Sequence, residues 1–254
     1  MTRYHIVIPA RMASQRLPGK PLLPIAGKPL IEHVYRRACE ATAQSVVIAT
    51  DSPELQEAAV RFGAEVVMTS AAHESGSDRI AECVDIQGWP DDALVVNLQG
   101  DEPLMPAACL EQAAELLERT PGSDVASLYW PIDLPAQVED PNVVKVVVDE
   151  AGNALYFSRS VVPHPRNFST VSSAMNSGAT WKRHIGLYAY RVRALQAFTS
   201  MAPSPLESVE KLEQLRFLEA GRGIVMARAC EFIPAGVDTP EDLERVRGLV
   251  PGSG

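Results

Sequence analysis

Cysteine is scarce in this chain, and none of it is paired at short range. Cys39, Cys83, Cys109 and Cys230 are scattered through 254 residues with no CxxC pair, which excludes the usual zinc-ribbon and dithiol redox spacings. Three of the four sit among apolar residues of predicted helices or strands, so they read as buried free thiols in a reducing, cytoplasmic setting. No uncharged apolar run approaches the length of a membrane span, and the first residues do not form a signal peptide, so no membrane partner is expected. An excess of positive charge is also lacking. Lys and Arg number 23 against 32 Asp and Glu, a net charge of -9, which leaves no global basic surface to release counterions from a nucleic acid. Neither GxxxxGK[ST] nor GxGxxG occurs, which weakens readings as a P-loop NTPase or a dinucleotide enzyme. Trp89, Trp130 and Trp181 are isolated, and ordinary packing explains them better than base stacking.

What is present is an alternation of strand and helix signals. Residues 4–10 form a short β-branched run, and "SVVIATD" (45–51), "EVVMTS" (65–70) and "ALVVNLQGDEP" (93–103) are further strands. Between them lie helical patterns at 29–41, 52–63, 77–87 and 106–120; Ser52, Pro53 and Gly63 punctuate the second. This rhythm implies a mostly parallel sheet covered on both faces. After residue 124 the rhythm changes. "VVKVVVDEAGNALYFSR" reads as a hairpin turning at 150–153, 167–180 as a polar flexible loop, and "RHIGLYAYR" (183–191) as an alternating strand. "SPLESVEKLEQLRFLEAG" (204–221) reads as one helix, "IVMARACE" as a strand, and the segment opened by Thr239 and Pro240 as a last helix. With no repeat or linker to divide the chain, the expectation is one domain over 1–254: a three-layer α/β/α fold with a mostly parallel, Rossmann-like sheet. A β-rich insertion at about 125–190 would cover a substrate or make a dimer contact.

Against the acidic background one loop is basic. "IPARMASQRLPGKPL" (8–22) follows the first strand, where sheets of this type hold ligands, and its prolines and glycines keep it from becoming a helix. Arg11 and Arg16 can clamp anionic oxygens bidentately, and Lys20 adds a point charge, a set suited to phosphate. A solvated basic loop would have the same composition. Asp101, just past a buried strand, is a residue type and place for Mg²⁺, with water and phosphate oxygens completing the shell; a turn-capping Asp would look alike. Asp238, before the N-cap of the last helix, is a third element, equally readable as a carboxylate favoured by the helix dipole. Together the three suggest a metal–triphosphate site.

The same residues carry a resemblance. "IPARMASQRLPGKPLLPIAGKPLIEHVYRRA", "IATD", "SGSDRIAE", "VVNLQGDEPL", "PNVVKVVVDEAGNALYFSR", "RHIGLYAYR", "LEQLR" and "GVDTPEDLERV" resemble, in order, the CMP-KDO synthetases, the 3-deoxy-manno-octulosonate cytidylyltransferases. The opening motif alone is shared with CMP-sialic acid synthetases; "LQGDEP" with "RHIGLYAYR" and "LEQLR" is specific to the KDO enzymes. The match is poor over 164–180, and "SGSDR" departs conservatively from the family's threonine–glutamate form.

The resemblance implies a nucleotidyltransferase fold and an enzyme that couples CTP to KDO with Mg²⁺, giving CMP-KDO and pyrophosphate for lipopolysaccharide. It implies a homodimer. It assigns Arg11, Ser14, Arg16 and Lys20 to the triphosphate, Asp101 and Asp238 to Mg²⁺, and Gln99, His184, Tyr188, Glu213 and Gln214 to the sugar. Arg79 and Arg159 are further site arginines. Catalysis falls to Lys20, Arg11, Asp101 and Asp238. Whether Glu210 or Glu213 points inward stays open, since both lie on neighbouring faces of the expected helix. The rival readings are a cytidylyltransferase for 8-amino KDO or sialic acid, and a non-catalytic nucleotide-binding protein of the same fold.

Overall fold

The structure is a computed structural model that describes residues 2–13, 16–73 and 75–250. The first half runs β1 (Tyr4–Ala10), a 3₁₀ turn (Lys20–Leu22), a small hairpin of β2 (Pro24–Ile25) and β3 (Lys28–Pro29), and α1 (Leu30–Cys39). Then follow β4 (Ser45–Thr50), α2 (Pro53–Arg61), β5 (Glu65–Met68), α3 (Gly76–Gln87), β6 (Leu94–Asn97) and α4 (Ala107–Glu118). The second half contains β7 (Val125–Ile132), α5 (Pro135–Glu139), β8 (Lys145–Val148), β9 (Ala154–Ser158), α6 (Val171–Asn176) and β10 (Trp181–Arg191). It closes with α7 (Val192–Thr199), α8 (Pro205–Glu210), α9 (Gln214–Glu219), β11 (Ile224–Arg228) and α10 (Pro240–Leu249).

The main sheet has the order β11-β7-β10-β6-β1-β4-β5. β1 pairs in parallel with β4 and β6, as does β4 with β5 and β7 with β11, while β10 runs antiparallel to β6 and β7. The period-2 geometry of a strand explains the three layers. Ile6, Ile8, Ile48, Val96 and Leu128 face a core shared with α1, α2, α4 and α10; Val7, Val47, Val95 and Val125 face the opposite core under α3, α7 and α9. Each such aliphatic side chain stabilises the fold by roughly 1.5–3 kcal/mol when fully buried. The apolar strands were legible because both of their faces are covered.

The stretch 125–190 is not set apart from this sheet. Its opening strand β7 and closing strand β10 are interior members, each paired on both edges, so the excursion between them is the part that stands outside. β8 and β9 form the expected hairpin, attached to β10 where Arg183 pairs with Lys145. The Lys145 side chain is fully buried and donates to the carbonyls of Asp140, Val143 and Arg159, which ties the excursion to the sheet. The segment expected as a flexible loop contains α6, started by a Thr170 capping box and packed through Val171 and Ala174 against Ile132 and Trp181. Two of the four thiols differ from the buried expectation. Cys39 ends α1 and Cys230 lies in the loop after β11, and both are exposed.

The expected helix over 204–221 is broken. α8 stops at Lys211, which adopts a left-handed conformation (φ 55°), and α9 begins again at Gln214. The Arg159 guanidinium takes the carbonyls of Glu210 and Lys211, and the Glu210 carboxylate accepts from Ser158 Oγ and the Arg159 backbone N–H. Carbonyls captured by an arginine no longer require a following helical turn to satisfy them.

Order along the sheet explains where a ligand belongs. From β1 the chain moves outward through β4 and β5, then returns to the other side of β1 as β6. Loops leaving β1 and β6 therefore part at a switch point, the crevice in which open α/β sheets bind ligands.

Candidate functional site: a basic cleft joined to a polar cavity

The loops after β1, after β6 and before α10 converge. Lys20, at the start of the 3₁₀ turn, donates through Nζ to Asp101 Oδ2 (2.7 Å), the Val237 carbonyl (2.9 Å) and Asp238 Oδ1 (3.1 Å). Arg16 Nη2 reaches Asp238 Oδ2 at 3.1 Å. Burial disfavours the Lys20 ammonium, but the two carboxylates outweigh it and hold its pKa above the ordinary lysine value. The backbone is part of the assembly, because the Val237 N–H donates to the Asp101 carbonyl at 2.9 Å. A capping box between Thr239 and Asp242 opens α10, and the Asp238 N–H donates to Asp242 as well. Asp238 is thus held where the sequence placed it, one residue before the cap.

Two glycines allow this approach. A Cβ at Gly100 would lie 2.9 Å from the Pro9 carbonyl, and one at Gly236 would lie 2.8 Å from the Asp101 carbonyl. Neither backbone can yield, because Pro9 lies within β1, in register with Ala49 of β4, and Asp101 is bonded to Val237. Gly100→Ala is expected to destabilise the protein by about 1–3 kcal/mol, the usual penalty for overpacking. It should also displace Asp101. Urea denaturation checks the first effect and steady-state rates the second; wild-type values in both would contradict the close approach.

Two concavities meet at these acids. A cleft of about 790 Å³ is lined by Arg11, Arg16, Lys20 and Arg79 with Gln99 and Asp101. A second cavity of about 400 Å³ continues beyond it and shares Gly76, Gln99, Asp101 and Asp238 with the first. The first is basic and the second carries acids, tyrosines and amides. Arg79 is almost fully buried, paired with Asp51 at 3.1 Å and hydrogen-bonded to Thr69, so its place in the cleft wall is fixed. Ser14 lies outside the described residues.

β10 supplies one wall of the second cavity through strand alternation. His184, Gly186, Tyr188 and Tyr190 face it, while Ile185, Leu187 and Ala189 enter the core behind. A shift of register against β7 between Ile185 and Tyr188 adjusts the aim of these side chains. Ser127 Oγ donates to the Ile185 carbonyl, so at His184 Nε2 (3.2 Å) it accepts, which leaves His184 Nδ1 unprotonated and an acceptor.

Burial, with the Arg183 charge beside it, pulls the His184 pKa down to about 3. The folded protein therefore declines a proton that the unfolded chain accepts near pH 6.5, and this contribution to stability is lost as pH falls from 6.5 towards 3. Its imidazole resonances should stay flat between pH 8 and pH 5. His184→Ala should raise KM for the occupant of the second cavity and leave KM for the occupant of the basic cleft unchanged. A titration near pH 6.5 by NMR, or two unchanged KM values, would contradict this placement.

The break between α8 and α9 resolves the two glutamates. Glu213 immediately precedes α9, lines the second cavity and accepts from Ser77 Oγ at 2.9 Å, while Glu210 is turned away to Ser158 and Arg159. Burial raises the Glu213 pKa against the opposing Ser77 hydrogen bond. Gln214 lines the same cavity. Arg159 lines neither concavity; its guanidinium is held by the carbonyls of Pro141, Glu210 and Lys211.

Sequence reasoning missed Ser77, Asn97, Glu102 and Tyr190, which also line the second cavity. Tyr190 shares the parity of His184 and Tyr188, and Asn97 is the one polar residue of "LVVN", so both carried a readable signal. Glu102 had none beyond its adjacency to Asp101. Burial, and then Asp101, push its pKa up to about 8, with Arg183 opposing.

The sequence profile of the cytidylyltransferase family matches residues 5–224. The 3-deoxy-manno-octulosonate cytidylyltransferase of Thioalkalivibrio sulfidiphilus is 53% identical over 97% of this chain and 98% of its own. The chain belongs to the 3-deoxy-manno-octulosonate cytidylyltransferase family. Another member, from Cellvibrio japonicus, is 48% identical over 97% of this chain and 98% of its own. Among solved structures, a CMP:2-keto-3-deoxy-manno-octonic acid synthetase complexed with CTP superposes with a TM-score of 0.88 at 42% identity, covering 98% of both chains. A cytidylyltransferase from Leptospira borgpetersenii, with a TM-score of 0.61 and 17% identity over 97% of this chain and 85% of its own, shares the fold. The family's three-layer α/β architecture is therefore the one found here. No described helix is long and apolar enough to cross a membrane.

Proposed function

We propose that this protein transfers the cytidylyl group of CTP to KDO, producing CMP-KDO and pyrophosphate, the activated sugar used for lipopolysaccharide. The observation that carries this reading is the junction of the two concavities. A cleft rich in arginine and lysine opens onto a cavity of hydroxyl, amide and carboxyl groups, and the shared wall is Asp101, Asp238 and Gln99. CTP belongs in the basic cleft, with Arg11, Arg16 and Lys20 on its triphosphate. KDO belongs in the second cavity, against Gln99, His184, Tyr188, Glu213 and Gln214. Arg79 stiffens the cleft wall, and Arg159 acts through the α8–α9 turn that presents Glu213.

In this reaction the anomeric 2-hydroxyl of KDO attacks the α-phosphorus of CTP, forming a P–O bond. The bond from the α-phosphorus to the bridging oxygen breaks, the hydroxyl proton is lost and pyrophosphate departs. A highly anionic triphosphate and a sugar carboxylate must approach one another, so the protein's work is positioning and charge stabilisation. Arg11, Arg16 and Lys20 offset the negative charge, and the two concavities hold nucleophile and phosphorus on either side of Asp101.

The carboxylates of Asp101 and Asp238 already converge on a cation, the Lys20 ammonium, so the donor set fits a hard divalent ion. Among the described residues no group of three or more His, Cys, Asp or Glu side chains is arranged as a metal site. Two carboxylates suit Mg²⁺, which fills its shell with waters and phosphate oxygens. Mg²⁺ held by Asp101 and Asp238 would supply charge stabilisation at the phosphate.

In the same reading the chain acts in the cytoplasm as a homodimer, and Leu134 and Leu155, exposed on the excursion between β7 and β10, belong to the surface a second copy would cover. Pyrophosphate release measured with CTP and a panel of acid sugars tests the sugar assignment. KDO should support the highest kcat/KM. Preference for 8-amino KDO or sialic acid would move the assignment to that sugar, and CTP binding with no turnover on any sugar would remove the enzymatic reading.

A further inference from the structure

The second cavity contains a polar group that the protein itself leaves without a partner. Asn97 ends β6, the strand between β1 and β10, and is 2% exposed. It shares the face of Val95, where the pattern of this strand otherwise supplies a branched aliphatic residue to the core under α3 and α7. Its register neighbour on β10 is Tyr188. The Tyr190 hydroxyl lies against the Asn97 side chain and Ser77. The Asn97 Oδ1 is buried and accepts no hydrogen bond. A buried carbonyl acceptor with no donor is destabilising, and native structures rarely retain one without reason. Asn97 is one of the residues that line the cavity.

A second unpartnered atom lines the same cavity with the opposite polarity. Gln214, 8% exposed, has an Nε2 donor with no acceptor. The occupant must therefore bring at least one hydrogen-bond donor and one acceptor into a space already bordered by Glu102, Glu213 and Asp101. Neighbouring hydroxyls of a polyol do both without adding charge.

We infer that Asn97 is a sugar-binding and specificity residue, its Oδ1 accepting a hydrogen bond from one hydroxyl of the substrate. The inference rests on the reading of this cavity as the KDO site and adds a contact that discriminates among polyols. A site built to accept from a hydroxyl penalises an analogue lacking it, because the buried acceptor is then left empty. Removing the acceptor from the protein should abolish that penalty.

Steady-state kinetics with KDO and its monodeoxy analogues, on the wild type, Asn97→Ala and Asn97→Ser, tests this. Asn97→Ala should raise KM for KDO about tenfold, the effect of one neutral hydrogen bond, and leave KM for CTP unchanged. One monodeoxy analogue should be about tenfold worse than KDO on the wild type and no worse than KDO on Asn97→Ala. Asn97→Ser provides the same comparison if the alanine variant does not fold. Equal penalties for every analogue on wild type and variant, or a parallel rise in KM for CTP, would make Asn97 structural and overturn the inference. Failure of the wild type to turn over KDO at all would instead overturn the reading on which it rests.

Discussion

Lys20→Ala is expected to lower kcat/KM by roughly 10²-fold or more, the scale of a lost electrostatic donor in a preorganised site. The reason lies in the position of its ammonium, 2.7 Å from Asp101, 3.1 Å from Asp238 and 2.9 Å from the Val237 carbonyl. That one group offsets both carboxylates that border the triphosphate cleft. Without it, CTP would approach Asp101 stripped of its cation and Asp238 held by Arg16 alone, and would lose its point-charge contact. The backbone bond from Val237 to Asp101 survives the substitution, so the loops stay joined and the loss falls on charge rather than on fold. Steady-state rates and a thermal melt on the same preparation separate the two. Rates within threefold of wild type would reject the role assigned to Lys20.

Asp101→Asn should lower kcat/KM by a similar roughly 10²-fold factor for the complementary reason. The amide keeps the shape of the carboxylate, and the main-chain contacts at Val237 and beside Gly236 need only the Asp101 carbonyl. What disappears is one of two negative charges converging on a cation. The variant should therefore require more Mg²⁺ than wild type for half-maximal rate, because its affinity for the ion rests on the remaining Asp238. Initial rates across a Mg²⁺ titration read this directly. An unchanged Mg²⁺ dependence, with a rate within threefold of wild type, would remove Asp101 from the site.

Much of this arrangement was legible because it follows short-range rules. The β1 strand, the Ser52 and Thr239 caps and the alternation of "RHIGLYAYR" are local patterns, and they recur in the structure at those positions. The cleft residues were legible as a set because loops at a switch point in an open sheet collect ligand-binding groups. Long-range effects were not. A helical pattern running unbroken from Ser204 to Gly221 gives no sign that Arg159, some fifty residues earlier, captures the carbonyls at its middle and breaks it. That break decides between Glu210 and Glu213, so the open choice in the sequence was a tertiary question.

The extent of the β-rich stretch was illegible for the same reason. Nothing local distinguishes β7 and β10, which are paired on both edges inside the sheet, from β8 and β9 at its margin. Asn97 was passed over because a single polar residue at the end of "LVVN" looks like the end of a strand. Its importance depends on the cavity that Tyr188, Tyr190 and Glu213 build around it from distant parts of the chain.

In the proposed reaction the basic cleft and the polar cavity together join CTP to KDO. Phosphorus NMR of the protein with CTP, KDO and Mg²⁺ tests it in one measurement. The three CTP resonances should decay together, replaced by pyrophosphate and, in equal amount, a single phosphodiester resonance from CMP-KDO. A spectrum in which CTP persists with KDO, or is consumed only when another acid sugar replaces it, would contradict this reaction.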